Sequence, residues 1–485
     1  MKSTLYYRFA LSALAVLLLG GCAVGPDYKR PPVANPQVFR DQPSPEQASL
    51  ADLPWWEVFK DPVLQSLIRE ALAGNYTVQI AAARVREARA HVGEARSKFF
   101  PAIGYGFTAQ DQQNGIAAQL GLNSTGGPQA QQLYAGVLAA SWEMDLWGRI
   151  RRSTEAATAN LLGTEDAQRG VLLSLVGDLA QAYFELLALD VRLQIAKDST
   201  NAFQGTYNLF KDRLDFGVAS ELQTSRAQGA LGAAQARIPE VEAQIAAKEN
   251  QISILLGRPP GPIPRGTPMY EQPVTPTVPA GLPSALLERR PDLRQAEQEM
   301  VRANALIGVA KADFFPKLNL TSLLGTASPE LAAVTHGASL VWAVGGALTG
   351  PVFQGGRILE NYRAHVALWE QTKYAYEQAV LTAFREVSDA LAVLAKLTQA
   401  EAAQATSVKG LEAAVGHAND RYLYGLSSYY EVLEALQQLY PAQNMLAQIR
   451  RDRLLAYVQL YKALGGGWNL AEGQWSEQDT KSGGG

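Results

Sequence analysis

The sequence predicts an α+β membrane protein made of two structural repeats, each with one β-hairpin in the membrane and one long helical hairpin outside it. Three observations lead to this fold class. The stretch KFFPAIGYGF, Lys98 to Phe107, has a near copy, DFFPKLNLTS, at Asp313 to Ser322. Two long proline-free stretches have apolar residues at helical spacing. Four shorter stretches alternate large apolar residues with small or polar ones, which is typical of transmembrane strands.

Composition excludes several classes of protein. The chain has 485 residues, with 43 basic and 46 acidic residues and a net charge of −3, so we expect no nucleic-acid partner. The four histidines are far apart and the one cysteine is Cys22, which leaves no disulfide framework and no Cys-based metal site. Because the sequence contains no nucleophile elbow, HExxH motif or phosphate loop, we expect no enzyme, no metal and no cofactor.

The N-terminus has the features of an export signal. Lys2 and Arg8 precede a short apolar core, Leu11 to Leu19, and small residues lead to Cys22. This arrangement resembles a bacterial lipobox, which predicts cleavage after residue 21, N-acylation and an S-diacylglycerol on Cys22. The alternative is an ordinary signal peptide with a chance cysteine. In lipoproteins of this kind, Ala23 rather than aspartate after the cysteine directs the protein to the outer membrane.

The two halves of the chain follow one plan. The segments Asn75–Pro101 and Arg290–Pro316 have equal length and lie 215 residues apart. Farther along, WGRIRRS at Trp147 matches GGRILEN at Gly355, and later matches keep this offset of 208. The seven extra residues of the first half therefore lie between its Phe-Phe-Pro and Gly-Arg-Ile motifs. That interval contains a polar, glycine-rich stretch that predicts a long exposed loop.

A proline-rich linker separates the repeats, because nine of the 25 prolines lie between Pro259 and Pro283. The predicted organisation is a signal peptide at 1–21, an N-terminal extended segment at 22–61, repeat 1 at 62–257, the linker at 258–283, repeat 2 at 284–466 and a flexible tail at 467–485. Repeat 1 contains a β-hairpin at 101–146 and a helical hairpin at 150–257, and repeat 2 contains a β-hairpin at 316–353 and a helical hairpin at 356–465.

The helical hairpins are unusually long. Arg151 to Arg213 would form a helix of about 95 Å at about 1.5 Å per residue. Such a helix cannot belong to a compact globule, and recurring charges argue against a membrane span. We therefore expect lengthwise packing against antiparallel return helices, Glu221–Leu256 in the first half and Tyr429–Leu464 in the second. The tip turns between the helices contain Gly217 and Gly425.

The β-hairpins follow the Phe-Phe-Pro corners. Proline ends each helix, and the paired phenylalanines are expected at the edge of the bilayer. The alternation is clearest where Ile103, Tyr105 and Phe107 alternate with small residues. The same period of two occurs at Tyr134, Leu138, Ala140, Trp142 and Met144, at Leu318, Leu320, Ser322 and Leu324, and at Leu340, Trp342, Val344 and Leu348. A small soluble sheet is the alternative interpretation.

The number of strands predicts an assembly. A sheet in lipid must close, since an open edge leaves backbone groups unpaired, and known barrels begin at eight strands. One chain supplies four strands, so a dimer would have eight and a trimer twelve. Small residues that alternate with the apolar ones predict a lumen, and a lumen favours the trimer; they are Gly104, Gly106, Ala343 and Gly345.

Several motifs together carry a family resemblance over nearly the whole chain. They are the lipobox, CAVGPDYKRP, the doubled FFP, DLWGRI, GLPSALLERRPDL and the closing LYKALGGGW. These motifs resemble outer membrane factor lipoproteins of tripartite RND-type efflux pumps, the OprM/TolC-like group also called the NodT family. The resemblance implies a homotrimer with a twelve-stranded outer-membrane β-barrel, a periplasmic α-barrel, an adaptor protein and an inner-membrane RND transporter.

The resemblance also implies the function. A member of this family would export antibiotics, solvents or other small amphiphilic compounds, with its periplasmic helix tips closed at rest and opened by the adaptor. The alternative within the same architecture is a duct for a type I protein secretion system. The lipid anchor and the LYKALGGGW ending favour the efflux branch.

The resemblance further predicts where the pore closes. In family members, inward side chains after the second tip turn narrow the periplasmic end, and the matching positions are Tyr430 and Glu434, one helical turn apart. The chain departs from the usual pattern with Gln437, where a basic residue is frequent. Subtracting the offset of 208 from Glu434 gives Arg226, so the two would alternate around the tip of a trimer. The alternative is that Glu434 is only a solvated helix residue.

Overall fold

The computed structural model describes residues 23–33, 36–40, 49–113, 130–273, 279–467, 469–470 and 472–475. The helices are α1 (Trp55–Val58), α2 (Pro62–Gly74), α3 (Tyr76–Ser97), α4 (Arg149–Asp215), α5 (Glu221–Leu256), α6 (Leu286–Arg289), α7 (Pro291–Ala312), α8 (Arg357–Leu423) and α9 (Tyr429–Ala463). The strands are β1 (Ala102–Gln113), β2 (Ala130–Met144), β3 (Lys317–Ser328) and β4 (Leu340–Thr349). The signal peptide, Cys22 and residues 114–129 of the predicted glycine-rich loop at 111–132 lie outside the described residues. The ends of that predicted loop belong instead to β1, which continues to Gln113, and to β2, which begins at Ala130.

The chain divides into two compact units, and each is assembled from three segments. The first unit contains residues 1–31, 85–164 and 296–376, and the second contains 32–84, 165–295 and 377–485. The helices α4 and α8, each of 67 residues, contribute to both units. The two units are interleaved along the sequence because α4 and α8 are long. Each of these helices begins in the first unit and ends in the second.

The sheet of the first unit is antiparallel, with its strands in the order β1-β2-β3-β4. The four predicted strand segments are therefore strands. Their register places four large apolar side chains in one row across the sheet, because Tyr105 is opposite Leu138, Leu138 opposite Leu324, and Leu324 opposite Trp342. All four are more than half exposed in a single chain. Only the outer edges of β1 and β4 have no strand partner among the described residues.

The Phe-Phe-Pro motifs lie where the sequence placed them, between a helix and a strand. The helix α3 ends at Ser97 and β1 begins at Ala102, while α7 ends at Ala312 and β3 begins at Lys317. The corner of β3 is also held by Trp147, whose indole stacks on Phe315 at 4.6 Å and donates a 2.8 Å hydrogen bond to the Pro316 carbonyl. A helix-to-strand corner in one repeat is thus fixed by a residue from the other.

The N-terminal segment is bound along the first unit from its first described residue. The Val24 amide donates to the Trp147 carbonyl at 3.0 Å. Asp27 accepts a 2.7 Å hydrogen bond from Arg152, a buried guanidinium at the start of α4. Glu297 on α7 accepts hydrogen bonds from Arg30 at 2.5 and 2.6 Å. The segment predicted as extended at 22–61 therefore begins as a strap, which is bound by one backbone hydrogen bond and by polar side chains. Its later part departs from the prediction, because Leu50–Asp52 and Trp55–Val58 are helical.

The second unit has a buried polar centre. The Asp61 side chain caps α2 by accepting hydrogen bonds from the Val63 and Leu64 amides, at 2.8 and 3.2 Å. Its second oxygen accepts from the Tyr183 hydroxyl of α4 at 3.1 Å and from the Thr267 amide at 2.9 Å. The proline-rich linker is thereby fastened to the first long helix. Burial raises the pKa of the Tyr183 hydroxyl well above its usual value, so this donor stays protonated.

Two expectations need correction. Charges do not recur throughout α4, because Asp178 and Glu185 are the only charged residues between Val171 and Leu189. By length and composition this helix could cross a membrane, but 72% of its most apolar window is buried inside the protein. The predicted flexible tail is wrong for residues 472–475, which form a helical turn in which Trp475 is buried and accepts a 3.1 Å hydrogen bond from Trp55. Aromatic burial explains this order.

Candidate gate at the helical hairpin turns

The two tip turns have the same backbone geometry. Gly217 and Gly425 have φ of +71° and +69°, a conformation that L side chains adopt only with strain. Each glycine amide donates to the third carbonyl before it, and the next amide donates to the fifth, which closes the preceding helix with a Schellman motif. The predicted turns at these glycines are therefore present. The glycine itself was the signal in the sequence, because glycine is the residue that adopts the positive φ of this turn without strain.

The return helices begin immediately after these turns, and their first residues differ in charge. In the first hairpin, the Gln223 side chain accepts a 3.0 Å hydrogen bond from the Ser220 amide. The corresponding residue of the second hairpin is Glu431, which forms an ion pair with Arg421 at the end of α8 and accepts a 3.2 Å hydrogen bond from it. The second turn is thus closed by an ion pair, although both partners are about half exposed and such a pair contributes only about 0–1 kcal/mol.

The predicted gate side chains all lie on exposed helix faces. Tyr430 is 59% exposed, and Leu222, its counterpart at the offset of 208, is 60% exposed. Glu434 and Arg226 are exposed as well. Within the described part of a single chain, no ion pair joins Glu434 to Arg226. An alternating ring of these two residues would need contacts between chains, and it stays a prediction.

Tyrosines tie the second hairpin to the first, and sequence reasoning missed them. The hydroxyl groups of Tyr429 and Thr206 are 2.9 Å apart, which joins α9 to α4. Tyr422 accepts a 2.8 Å hydrogen bond from Arg213 at the end of α4, and the same guanidinium lies 5.7 Å from the centre of its ring. The rings of Tyr422 and Tyr429 meet edge to face at 4.9 Å. The signal was present in the stretch YLYGLSSYY, where aromatic residues flank the turn glycine on both sides.

A small apolar core supports these contacts. Phe203, on α4, packs with residues of the three other long helices. The buried members from those helices are Leu231 and Ala234 on α5, Ala418 on α8, and Val432, Leu433 and Leu436 on α9. Tyr440 packs against this cluster, with its ring 5.9 Å from Phe203. Burial raises the pKa of the Tyr440 hydroxyl, with a smaller contribution from Asp198, so it remains a hydrogen-bond donor over the physiological pH range.

The side chains around the turns make contacts between helices. They are aromatic rings, hydroxyls and exposed ion pairs, and they can hold or release helices. Over the described residues, no cluster of His, Cys, Asp and Glu has the arrangement of a metal site. The four long helices are therefore held together near the turns by the small apolar core and by polar contacts of the tyrosines.

Comparison with known proteins identifies the family. The outer membrane efflux protein family matches residues 67–258 and 282–466. The solvent efflux pump outer membrane protein SrpC of Pseudomonas putida is 33% identical over 472 residues, which cover 96% of this chain and 99% of SrpC. The cation efflux system protein CusC of Escherichia coli is 32% identical over 460 residues, or 93% of this chain and 97% of CusC.

Solved structures have the same fold. A crystal structure of CusC matches with a TM-score of 0.82 at 31% identity, over 92% of this chain and 100% of that chain. The open state of the Neisseria gonorrhoeae MtrE outer membrane channel matches with a TM-score of 0.83 at 30% identity, over 92% and 99% of the two chains. The predicted family and its mostly helical α+β class are confirmed. The chain therefore belongs to the outer membrane efflux protein family.

Proposed function

We propose that this protein is the outer-membrane exit duct of a tripartite efflux pump, working as a homotrimer with a shared twelve-stranded barrel. The observation that carries the proposal is the row of exposed apolar side chains across an open sheet. Tyr105, Leu138, Leu324 and Trp342 offer a lipid-facing surface, while their neighbours along the strands are largely small. A sheet of this kind is stable in lipid only when its outer edges are paired.

The need to close the barrel around a lumen favours an assembly of three chains. Each chain contributes four strands, and the edges of β1 and β4 that have no strand partner among the described residues can pair with β4 and β1 of neighbouring chains. Small side chains such as Gly104 and Ala343 on the opposite face leave room for a lumen, which a larger barrel provides. The two-repeat organisation fits the same scheme, because α4 and α8 have equal lengths and begin 208 residues apart.

The cargo is best assigned as small amphiphilic compounds, such as solvents and antibiotics. SrpC is named for a solvent efflux pump and CusC for a cation efflux system. We extend the efflux role to this chain and favour it over a type I secretion duct, since the matched relatives are named for efflux. The partners are then a periplasmic adaptor and an inner-membrane RND transporter.

The lipid anchor and the gate complete the proposal. An N-acyl, S-diacylglyceryl Cys22 would hold the chain at the periplasmic surface of the outer membrane. At the tips, Glu434 and Arg226 would alternate between chains and, with Tyr430, narrow the pore. Exposed pairs are each worth about 0–1 kcal/mol, so a ring of them would form a closure that an adaptor can open.

The proposal is tested by expressing the protein with its native partners in a strain that lacks its own efflux ducts. Growth in toluene and in antibiotics should be restored, and the detergent-purified protein should have the mass of three chains. Cys22→Ala with an ordinary signal peptide should lose labelling by radioactive palmitate. A folded protein with the mass of one chain would contradict the shared barrel.

A further inference from the structure

The return helix α9 contains a proline in its interior, at Pro441. Because proline has no amide hydrogen, the helical bond from residue 441 to the Gln437 carbonyl cannot form, and the ring crowds the turn before it. The next carbonyls receive extra donors from side chains. One of these is the Tyr440 carbonyl, which accepts a 2.9 Å hydrogen bond from the Asn444 amide group. The backbone ladder of α9 is therefore weakest at this point.

The partner helix α8 braces α9 on the far side of the proline. The Gln404 side chain donates a 3.0 Å hydrogen bond to the Ala442 carbonyl. One residue later, the Gln443 side chain donates to Glu412 at 3.1 Å. These two bonds hold the part of α9 that follows Pro441 to α8. The part before Pro441 is joined to α8 by the exposed ion pair between Glu431 and Arg421, which contributes only about 0–1 kcal/mol.

The part of α9 that precedes the proline is a short segment with its own attachment. We call Tyr429–Tyr440 the lever segment. Its first residue, Tyr429, is hydrogen-bonded to Thr206 at 2.9 Å, and its last, Tyr440, meets Phe203 edge to face at 5.9 Å. The lever segment is thus attached to α4 by a tyrosine at each end.

There is space beside the hinge for this segment to move. A cavity of about 550 Å³ lies between α4, α5 and α9, and Pro441 is one of its lining residues. Leu436 and Met445 line it on either side of the proline. Because this cavity adjoins Pro441, α9 has space on that side in which to change its direction.

We propose that Pro441 is the hinge of the gate, about which the lever segment bends toward this cavity. The inference rests on the proposed duct function. Tyr430 and Glu434 both lie on the lever segment, within three turns of the hinge, and they move with it. Bending at Pro441 therefore changes the position of the two side chains that are predicted to narrow the pore.

The test compares three substitutions in the full-length trimer. Pro441→Ala restores the helical hydrogen bond and should stiffen the hinge, whereas Pro441→Gly keeps it flexible. Pro239→Ala is the matched control, because Pro239 is the interior proline of the other return helix, α5. Amide hydrogen exchange, read by mass spectrometry over residues 429–440, measures bending without any need for transport. Open probability in planar lipid bilayers measures gating.

In Pro441→Ala, exchange over the lever segment should slow by about tenfold, because a helix-interior proline is far less favourable than alanine. Its open probability should fall in parallel, while Pro441→Gly and Pro239→Ala should keep the native values over this segment. Equal exchange in all four proteins, or equal slowing by Pro239→Ala, would overturn the hinge. Slower exchange with unchanged gating would separate the hinge from the gate. A trimer that never conducts would instead refute the duct, with the exchange data still reporting on bending.

Discussion

The Tyr183 hydroxyl lies 3.1 Å from a carboxylate oxygen of Asp61, and it donates a hydrogen bond to this side chain, which is only 1% exposed. The same oxygen accepts from Gln272 at 2.8 Å. No cation forms an ion pair with Asp61 in the part of the chain that the structure describes. Hydrogen bonds alone therefore satisfy this buried charge, and they join α2, α4 and the linker between the repeats.

We expect Asp61→Ala to destabilise the protein by about 3 kcal/mol, because it removes the acceptor of the Tyr183 hydroxyl and of four further donors. These are the amides of Val63, Leu64 and Thr267 and the side chain of Gln272. The midpoint of thermal unfolding, followed by circular dichroism at the helix band, measures the loss. Asp212→Ala, at an exposed site on α4, is the control and should shift the midpoint little. Equal midpoints for the two variants would show that the buried network does not stabilise the fold.

The N-terminal strap should detach when Glu297 is replaced. Glu297 is the acceptor for both Arg30 and the Tyr28 hydroxyl, whose pKa is raised by burial and by this carboxylate. Glu297→Ala should expose the bond after Lys29 and raise its trypsin cleavage rate about tenfold, since a charged hydrogen-bonded pair is worth about 1.5–3 kcal/mol. Glu299→Ala removes only a local pair with Arg302 and should leave the rate unchanged. The prediction is wrong if both variants are cleaved at the native rate.

The charge ring is tested by single-channel conductance. Glu434→Lys should open the pore, because it places like charges beside Arg226 around the tip, and adding Arg226→Glu should partly close it again. Each exposed pair contributes about 0–1 kcal/mol, so the effect arises from the ring as a whole. Glu242→Lys makes the same charge change on an exposed face of α5, away from the turns, and should conduct like the native protein. No change in either Glu434→Lys or the double variant would eliminate the ring.

Stability should depend on pH through Asp166 of α4. Burial raises the pKa of this carboxyl, even though it lies 3.0 Å from Arg169 and 3.2 Å from Arg294. A raised folded-state pKa means that the native state binds the proton more tightly, so this contribution to stability is present at low pH and is lost as pH rises through that pKa.

The variant Asp166→Asn removes this titration. Its unfolding midpoint should therefore equal that of the native protein near pH 3 and exceed it at pH 7. The reason is that the variant no longer buries a carboxylate whose desolvation outweighs its two ion pairs. Asp178→Asn, whose half-exposed carboxylate pairs with Lys462, should not gain stability as pH rises. A native protein that is more stable than Asp166→Asn at pH 7 would mean that its two arginine partners outweigh burial.

Much of the fold could be predicted, because its main features repeat at fixed spacing. Proline-free amphipathic sequence predicted α4 and α8, and alternation around Tyr105 and Trp342 predicted the strands of the sheet. Glycine marked both tip turns, since Gly217 and Gly425 meet a backbone requirement that few residues can meet. Such features are written locally, and one chain contains two examples of each.

Other features could not be predicted, because their partners are distant in sequence. Tyr429 and Thr206 are separated by 223 residues, and Tyr183 and Asp61 by 122. In each pair, the sequence around one residue does not indicate which residue will be its partner. The buried Trp475 was missed for the same reason, since its environment is created by Trp55 at the opposite end of the chain. Long-range hydrogen bonds of this kind emerge only from the folded arrangement.

The outer edges of β1 and β4, for which the described part of the chain supplies no partner strand, also constrain how the protein is made. Before it assembles, a single chain would present the outer edge of β1, twelve residues long, and that of β4, ten residues long. Within the described sheet, the amides and carbonyls that face outward from these edges have no strand to pair with. An exposed strand of an unrelated protein could pair with these edges as well as a second copy of this chain could. Biogenesis must therefore shield these edges until the correct neighbours arrive, and overproduction should favour aggregates unless a periplasmic chaperone is raised with it.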